Sequence, residues 1–177
     1  MPLVKAGQII NDPYLRVLDD AAIPDDTAVI VPATRLLADA EELTKRNEPL
    51  GVLWPNDRNI SELEPHLDEI ALVALIFPNF KDGRAYSQAR ILRERYQFRG
   101  ELRATGQVLR DQFLFLLRAG FDSFEVLKDA DTQAFKDAVH RYSVFYQPAA
   151  DGQLSAFRRR AVARKAEDKV CSVEGAR

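Results

Sequence analysis

The sequence predicts an α/β domain of repeated strand-then-helix units, and three observations predict it. Short apolar runs recur from Val29 onward, segments with helical apolar spacing separate them, and each separation is long enough for the crossover that parallel strands require. The runs are Ala28–Val31, Leu50–Trp54, Ala71–Phe77, Glu101–Thr105 and Ser123–Leu127. Most have no polar alternation. A strand without a wet face belongs in a sheet covered by helices on both sides, so the expected core is a mostly parallel five-stranded sheet.

The intervening helices follow from stripes that repeat near 3.6 residues. Leu36, Leu37, Ala40 and Leu43 form the first; Ala85, Ala89, Leu92 and Tyr96 form the third. Val108, Leu109, Phe113, Leu116 and Leu117 form the fourth, and Ala134, Phe135, Ala138, Val139 and Tyr142 the last. The second segment, Ser61 to Ile70, carries Pro65 and is expected to be short or distorted. Gly100 and Gly120 follow the third and fourth helices, where a left-handed stop costs least. Asp129 or Asp131 is placed to cap the last helix.

Residues 1–28 differ from this pattern. Gly7–Ile10 and Tyr14–Leu18 flank Asn11-Asp12-Pro13, which reads as the turn of an N-terminal β-hairpin, at the sheet edge or as a lid. The core domain is expected over 29–147. From 148 to 177 the apolar periodicity fails and Arg158, Arg159, Arg160, Arg164, Lys165 and Lys169 crowd the chain, which reads as a basic tail, a frayed helix or disordered. Five strand-helix units are too few for a closed eight-stranded barrel, leaving an open doubly wound sheet or a partial barrel-like arrangement.

Composition narrows the function classes. The chain has 177 residues, 46% of them hydrophobic and 29% charged, which suits one domain with a core that needs no staple. A formal net charge of -2 offers no global field toward nucleic acid or an anionic membrane, and neither is expected as a partner. The single cysteine, Cys171, excludes an intrachain disulfide or a Cys-rich zinc site within one chain. The start has no secretory pattern, and the longest apolar run, Ile70 to Pro78, is too short to span a bilayer, so the expected location is cytoplasmic. There is no G-x-G-x-x-G after a strand, no Walker loop, no H-E-x-x-H and no G-x-S-x-G, so no cofactor or metal is expected.

Ligands on such sheets bind beyond the carboxyl ends of the strands. The residues there are Trp54–Asp57, Phe77–Arg84, Thr105–Gln107 and Lys128-Asp129. In the second, Asp82-Gly83-Arg84 feeds a helix, so Arg84, Ser87 and free backbone N–H groups could converge on an anion; alternatively Asp82 merely caps the helix and pairs with an arginine while Tyr86 packs on the sheet. Arg103 interrupts an apolar strand and must be paired or lie at an opening. Either Asp111, in the Arg110-Asp111-Gln112 run, or Glu125 is its expected partner in a structural ion pair. Glu125 is a general base if it faces a cleft, or a solvent-facing residue of an edge strand. His66 and His140 read as surface histidines, Cys171 as unreactive, and Trp54 as a core plug or a ligand-stacking ring.

The blocks Phe77–Arg95, Gly100–Gln112 and Gly120–Glu125 together resemble a bacterial domain-of-unknown-function family, the one numbered 934, over roughly residues 25 to 147. Its members are commonly encoded beside assimilatory sulfite reductase and other sulfate-assimilation genes. The resemblance implies a part in reducing sulfite to sulfide, and it supplies no reaction. Positions matching the family pattern are Asp82, Gly83, Arg84, Tyr86, Ser87, Arg90, Arg103, Gly106, Arg110, Asp111 and Gln112. Two functions of different class follow. One is an accessory protein docking on sulfite reductase, its electron donor or another sulfate-assimilation protein, through an exposed face or around a small oxyanion. The other is a small-molecule enzyme whose Arg84, Arg90, Arg103 and Arg110 bind an anionic substrate while Asp82, Asp111 or Glu125 handles protons.

Overall fold

The computed structural model describes residues 2–126 and 131–164. Strands β1 (Leu3–Lys5), β2 (Gln8–Ile10) and β3 (Leu15–Arg16) precede five strand-helix units. These run β4 (Val29–Pro32), α1 (Ala33–Ala38), α2 (Ala40–Leu43), β5 (Leu50–Trp54), a 3-10 helix (Ile60–His66), β6 (Leu72–Phe77), α3 (Arg84–Arg90), β7 (Glu101–Gly106), α4 (Phe113–Ala119), β8 (Ser123–Glu125) and α5 (Asp131–His140). A further helix, α6, covers 156–164.

All strands join one eight-stranded sheet in the order β2-β1-β8-β7-β6-β5-β4-β3, curled into a half-barrel. The partial barrel-like alternative is therefore the one adopted, with eight strands rather than five. Strands β3 to β8 pair in parallel and β1 runs antiparallel to both β8 and β2. Of the extra three, β2 and β3 lie within the short strands expected at Gly7–Ile10 and Tyr14–Leu18, and β1, three residues long, escapes sequence reading.

The curl follows from connectivity. β2 and β3 lie at opposite edges, yet only four residues separate Ile10 from Leu15. A flat sheet of eight strands would hold its edges about 34 Å apart at the usual strand spacing. Five extended residues reach at most about 18 Å. The sheet must curl for the strap to cross it.

This corrects the expected hairpin. Gly7–Ile10 and Tyr14–Leu18 do not pair with each other; Asn11-Asp12-Pro13 belongs to the strap between the two edges. The hairpin is β1–β2, turning at Ala6 and Gly7, which both have positive φ (51° and 76°). An Ala-Gly turn carries a weaker signal than Asn-Asp-Pro.

Strand residues alternate between two faces. Val31, Val52, Trp54, Leu75, Phe77 and Phe124 point to the helix-covered convex side and form the main core. Phe135 of α5 enters that core beside Phe113 and Phe124, with ring centroids 5.4 and 5.2 Å away. The concave side is apolar only around Ile30, Leu72 and Ala74, packed by Tyr14 and Leu53. Trp54 is fully buried, so it plugs the core rather than stacking on a ligand.

The third helix continues from α3 as a π-helical turn, Ile91–Arg95, and the positive φ that ends it falls on Gln97 (55°). Gly100 instead allows a close approach: a Cβ there would sit 2.6 Å from the Ala71 carbonyl oxygen. Gly120 does provide the left-handed stop of α4, with φ 103°. Part of the expected basic tail is ordered against α4. Arg118 binds the Asp151 carboxylate at 2.9 Å and the Gln147 carbonyl oxygen at 2.6 Å, and stacks 3.9 Å from the Phe145 ring centroid. Lys128, Asp129, Lys165, Lys169 and Cys171 lie outside the described residues.

Candidate functional site

Polar side chains gather at two places, the concave face of the half-barrel and the rim where the parallel strands end. The first is built by alternation: Glu101, Arg103 and Thr105 of β7 and Ser123 and Glu125 of β8 all point inward. Arg103 has 1% of its side chain exposed, and a guanidinium at that depth requires charge partners. It finds three. Nη1 donates to Asp12 Oδ2 at 2.6 Å, Nη2 to Glu101 Oε1 at 3.1 Å, and Glu125 Oε1 lies 3.7 Å from Nη1.

The ring of partners extends beyond these. Glu101 also accepts from Ser123 Oγ at 2.6 Å and pairs with Lys5 Nζ at 2.5 Å. Glu125 accepts from Thr105 Oγ1 at 2.7 Å and pairs with Arg16 of β3. The guanidinium of Arg103 lies 5.6 Å from the Tyr14 ring centroid. Asp12, Tyr14 and Arg16 all come from the strap or its landing strand. Three cations and three carboxylates thus cancel, and they tie β1, the strap and β3 to β7 and β8.

The ionisation states agree with this geometry. Burial pushes the Glu101 carboxyl up, but Lys5, Ser123 and Arg103 outweigh it and hold it below the usual carboxylate range. Burial works against the Arg103 cation, and Asp12 and Glu101 more than compensate. The expected Arg103–Glu125 pairing is present at the outer limit of an ion pair. Asp12 and Glu101, which sequence reasoning missed, hold Arg103 more closely. Glu125 is only 5% exposed, so the solvent-facing edge-strand reading does not hold. β1 covers β8 on that side.

The rim is formed by the turn after β6. Asp82 Oδ1 accepts from the Arg84 backbone N–H at 3.2 Å in the turn that leads into α3, whose N-cap is Gly83 rather than Asp82, and both carboxylate oxygens take the Arg84 guanidinium, with Nη2 to Oδ2 at 2.7 Å. This fork holds the Asp82 carboxyl well below the usual range. The Arg84 side chain remains 58% exposed. The same turn carries Phe80, with half its surface exposed and Lys81 Nζ 5.7 Å from its ring centroid, an aromatic that sequence reasoning passed over. Gln112 reaches the same turn, donating to the Phe80 carbonyl oxygen at 3.4 Å.

Under the rim, Tyr86 packs edge-on to Phe77 with ring centroids 5.3 Å apart. Burial, and then the charge of Asp111, pushes its phenol up to about 12. Asn56, at the end of β5, is buried with its amide nitrogen unpartnered among the described residues.

The remaining positions are dispersed. Ser87 and Arg90 lie on the exposed side of α3, where Arg90 pairs with Glu94 at 3.1 Å. Arg110 and Asp111 are exposed before α4 and line a groove of about 500 Å³ between α4 and α5. The structure brings together Asp82, Arg84 and Gln112 around one turn, and Arg103 and Glu125 on the concave face. It does not gather Arg84, Arg90, Arg103 and Arg110 around one volume. His66 is half-buried at the end of its 3-10 helix. Among the described residues, no three His, Cys, Asp or Glu side chains group to hold a metal ion, and no helix is long and apolar enough to cross a membrane.

Comparison with known proteins adds one relationship. A family model described as a bacterial protein of unknown function (DUF934) matches residues 51–157, more than half of the chain. No curated protein matches. The matched span contains the Asp82–Arg84 turn, Arg103 and Glu125, whereas Asp12, Tyr14 and Arg16 precede it.

Proposed function

We propose that this chain, which belongs to the bacterial family of unknown function DUF934, is an accessory protein of assimilatory sulfite reduction that docks on sulfite reductase or its electron donor through the rim after β6. The pathway part of the proposal rests on the genes beside which members of the family are commonly encoded. The docking part rests on one observation. The turn after β6 carries both an exposed Phe80 and an exposed Arg84 guanidinium already oriented by Asp82, at the strand ends where this architecture carries its ligands.

Aromatic residues and arginines are the types enriched at the centres of protein interfaces. Asp82 holds the Arg84 head through Nε and Nη2, so little ordering entropy remains to be lost when a partner arrives. The other edge of the guanidinium is available to a carboxylate or a small oxyanion. The concave face is a poorer candidate, because Asp12, Tyr14 and Arg16 of the chain itself occupy it.

The enzyme alternative requires the four motif arginines to converge on an anionic substrate. Arg90 on the convex helices, Arg103 on the concave face and Arg84 on the rim weigh against it. A strain lacking the gene, complemented with Phe80→Ala or Arg84→Ala, tests the reading. Growth on sulfate is expected to fail while growth on cysteine is retained. Normal growth on sulfate with both variants would refute the docking rim.

A further inference from the structure

Helices α4 and α5 are pinned from beneath by the Phe113, Phe124 and Phe135 rings, and between their outer faces runs a groove of about 500 Å³. Ala134 and Ala138, one turn apart on α5, keep its floor low, and Leu114 of α4 completes that floor. Phe115 on α4 and Tyr142 just after α5 stand at its edges, 65% and 55% exposed. Val144 and Tyr146, also exposed, follow along the chain. An exposed apolar patch rimmed by polar residues marks a surface on which something docks.

Charge and area indicate what covers it. Four charged side chains rim the groove, Arg110 and Asp111 before α4 and Asp137 and Arg141 at the end of α5, and all four are exposed. Among the described residues their one side-chain hydrogen bond is that of Asp137, which accepts from Gln133 at 2.9 Å. Two cations and two carboxylates cancel. A partner with one sign in excess would set two of them against like charge, whereas a copy of the same face presents both signs to both. A whole aromatic side chain offers about 150–250 Å², so the exposed parts of Phe115, Tyr142 and Tyr146, with Val144, come to roughly 400–500 Å². A standard-sized interface takes about 800 Å² from each partner, of which about 56–65% is apolar. The patch supplies that apolar share.

We propose that the α4–α5 face is the interface of a two-fold dimer, with Phe115 of each copy seated over Ala134 and Ala138 of the other and the Arg110, Asp111, Asp137 and Arg141 rims pairing across it. The face carries both the projecting ring and the depression that receives it, which is what a self-complementary contact requires. A net charge of only -2 per chain sets little repulsion between copies. Neither Phe80 nor Arg84 lines this groove, so the inference is independent of the docking rim after β6.

Sedimentation equilibrium of the full chain tests it, with circular dichroism confirming that each variant is folded. Wild type is expected to be a dimer, and Phe115→Asp to raise its dissociation constant at least tenfold, because a charge would enter the apolar centre of the contact. Arg110→Glu with Arg141→Glu makes the rim wholly negative, and Asp111→Lys with Asp137→Lys makes it wholly positive. Each double variant alone is expected to be monomeric through self-repulsion, and an equimolar mixture of the two is expected to dimerise, since only a face that meets its own copy is rescued by mixing. A wild-type monomer at every loading concentration would overturn the proposal. So would a dimer that survives Phe115→Asp and both double variants, or double variants that stay monomeric when mixed. A monomeric wild type that binds sulfite reductase and loses that binding in Phe115→Asp would overturn it in favour of that protein as the occupant.

Discussion

Arg103 and Asp12 meet at 2.6 Å across 91 residues of sequence, joining the strap to the central strand β7 on the concave side of the half-barrel. The contact closes the chain's largest structural detour, from one sheet edge to the other. Removing one partner of a buried ion pair leaves the other charge stranded, which costs about 3–5 kcal/mol. Arg103→Ala, which strands carboxylates on three elements, is expected to fall in that range by urea unfolding. Asp12→Ala leaves Glu101 and Glu125 near Arg103 and is expected to cost about 1–3 kcal/mol. A double-mutant cycle should return a coupling of roughly 0.5–3 kcal/mol. Coupling within error of zero would mean that the strap is held by other contacts.

The same network makes stability depend on acid. Glu101 has its folded pKa below its ordinary value, so the unfolded chain binds more protons in that window and stability rises with pH through it. The contribution is complete above the unfolded carboxylate value of about 4.3 and is lost as pH falls through the lower folded value. The urea midpoint is therefore expected to be flat from neutrality to about pH 5 and to drop in stronger acid. Glu101→Gln should lower the neutral plateau and shrink the acid dependence.

Tyr86 offers a spectroscopic reporter of the rim. Its phenol is expected to ionise near 12, later than a free tyrosine, because ionisation would place charge in a half-buried site near Asp111. An ultraviolet titration of wild type should show a late-titrating component, absent in Tyr86→Phe. Asp111→Asn should move that component down, and by less than exposing the ring would, since burial is the larger cause.

Sequence reading succeeds or fails here for local physical reasons. Leu50–Trp54 and Leu72–Phe77 are legible because both faces of a central parallel strand are apolar, whereas Glu101–Gly106 alternates, with Glu101, Arg103 and Thr105 on the concave face and Leu102 and Ala104 in the core. β1 is not legible, since three residues carry no periodicity, while β2 and β3 are seen as strands but paired wrongly, because the Asn11-Asp12-Pro13 turn signal belongs to a crossing strap. Arg103 announces itself as a charge that needs partners. Its nearest one, Asp12, cannot be read out, since that approach depends on the curl of the whole sheet. The Asp82–Arg84 turn is visible as a motif, whereas the separation of Arg84, Arg90 and Arg103 onto three surfaces emerges only when helix faces and strand faces are placed together.

The docking rim is tested most directly with purified components. Sulfite reductase and its electron donor from the same bacterium would be presented separately to the full chain, to Phe80→Ala and to Arg84→Ala, with circular dichroism confirming that each variant is folded. Both side chains are largely exposed, so the stability of each variant is expected to stay within about 0.5 kcal/mol of wild type. The account predicts saturable binding of wild type to one of the two proteins and a loss of at least tenfold in affinity in each variant. Absence of wild-type binding to both proteins, or undiminished binding by both variants, would contradict it.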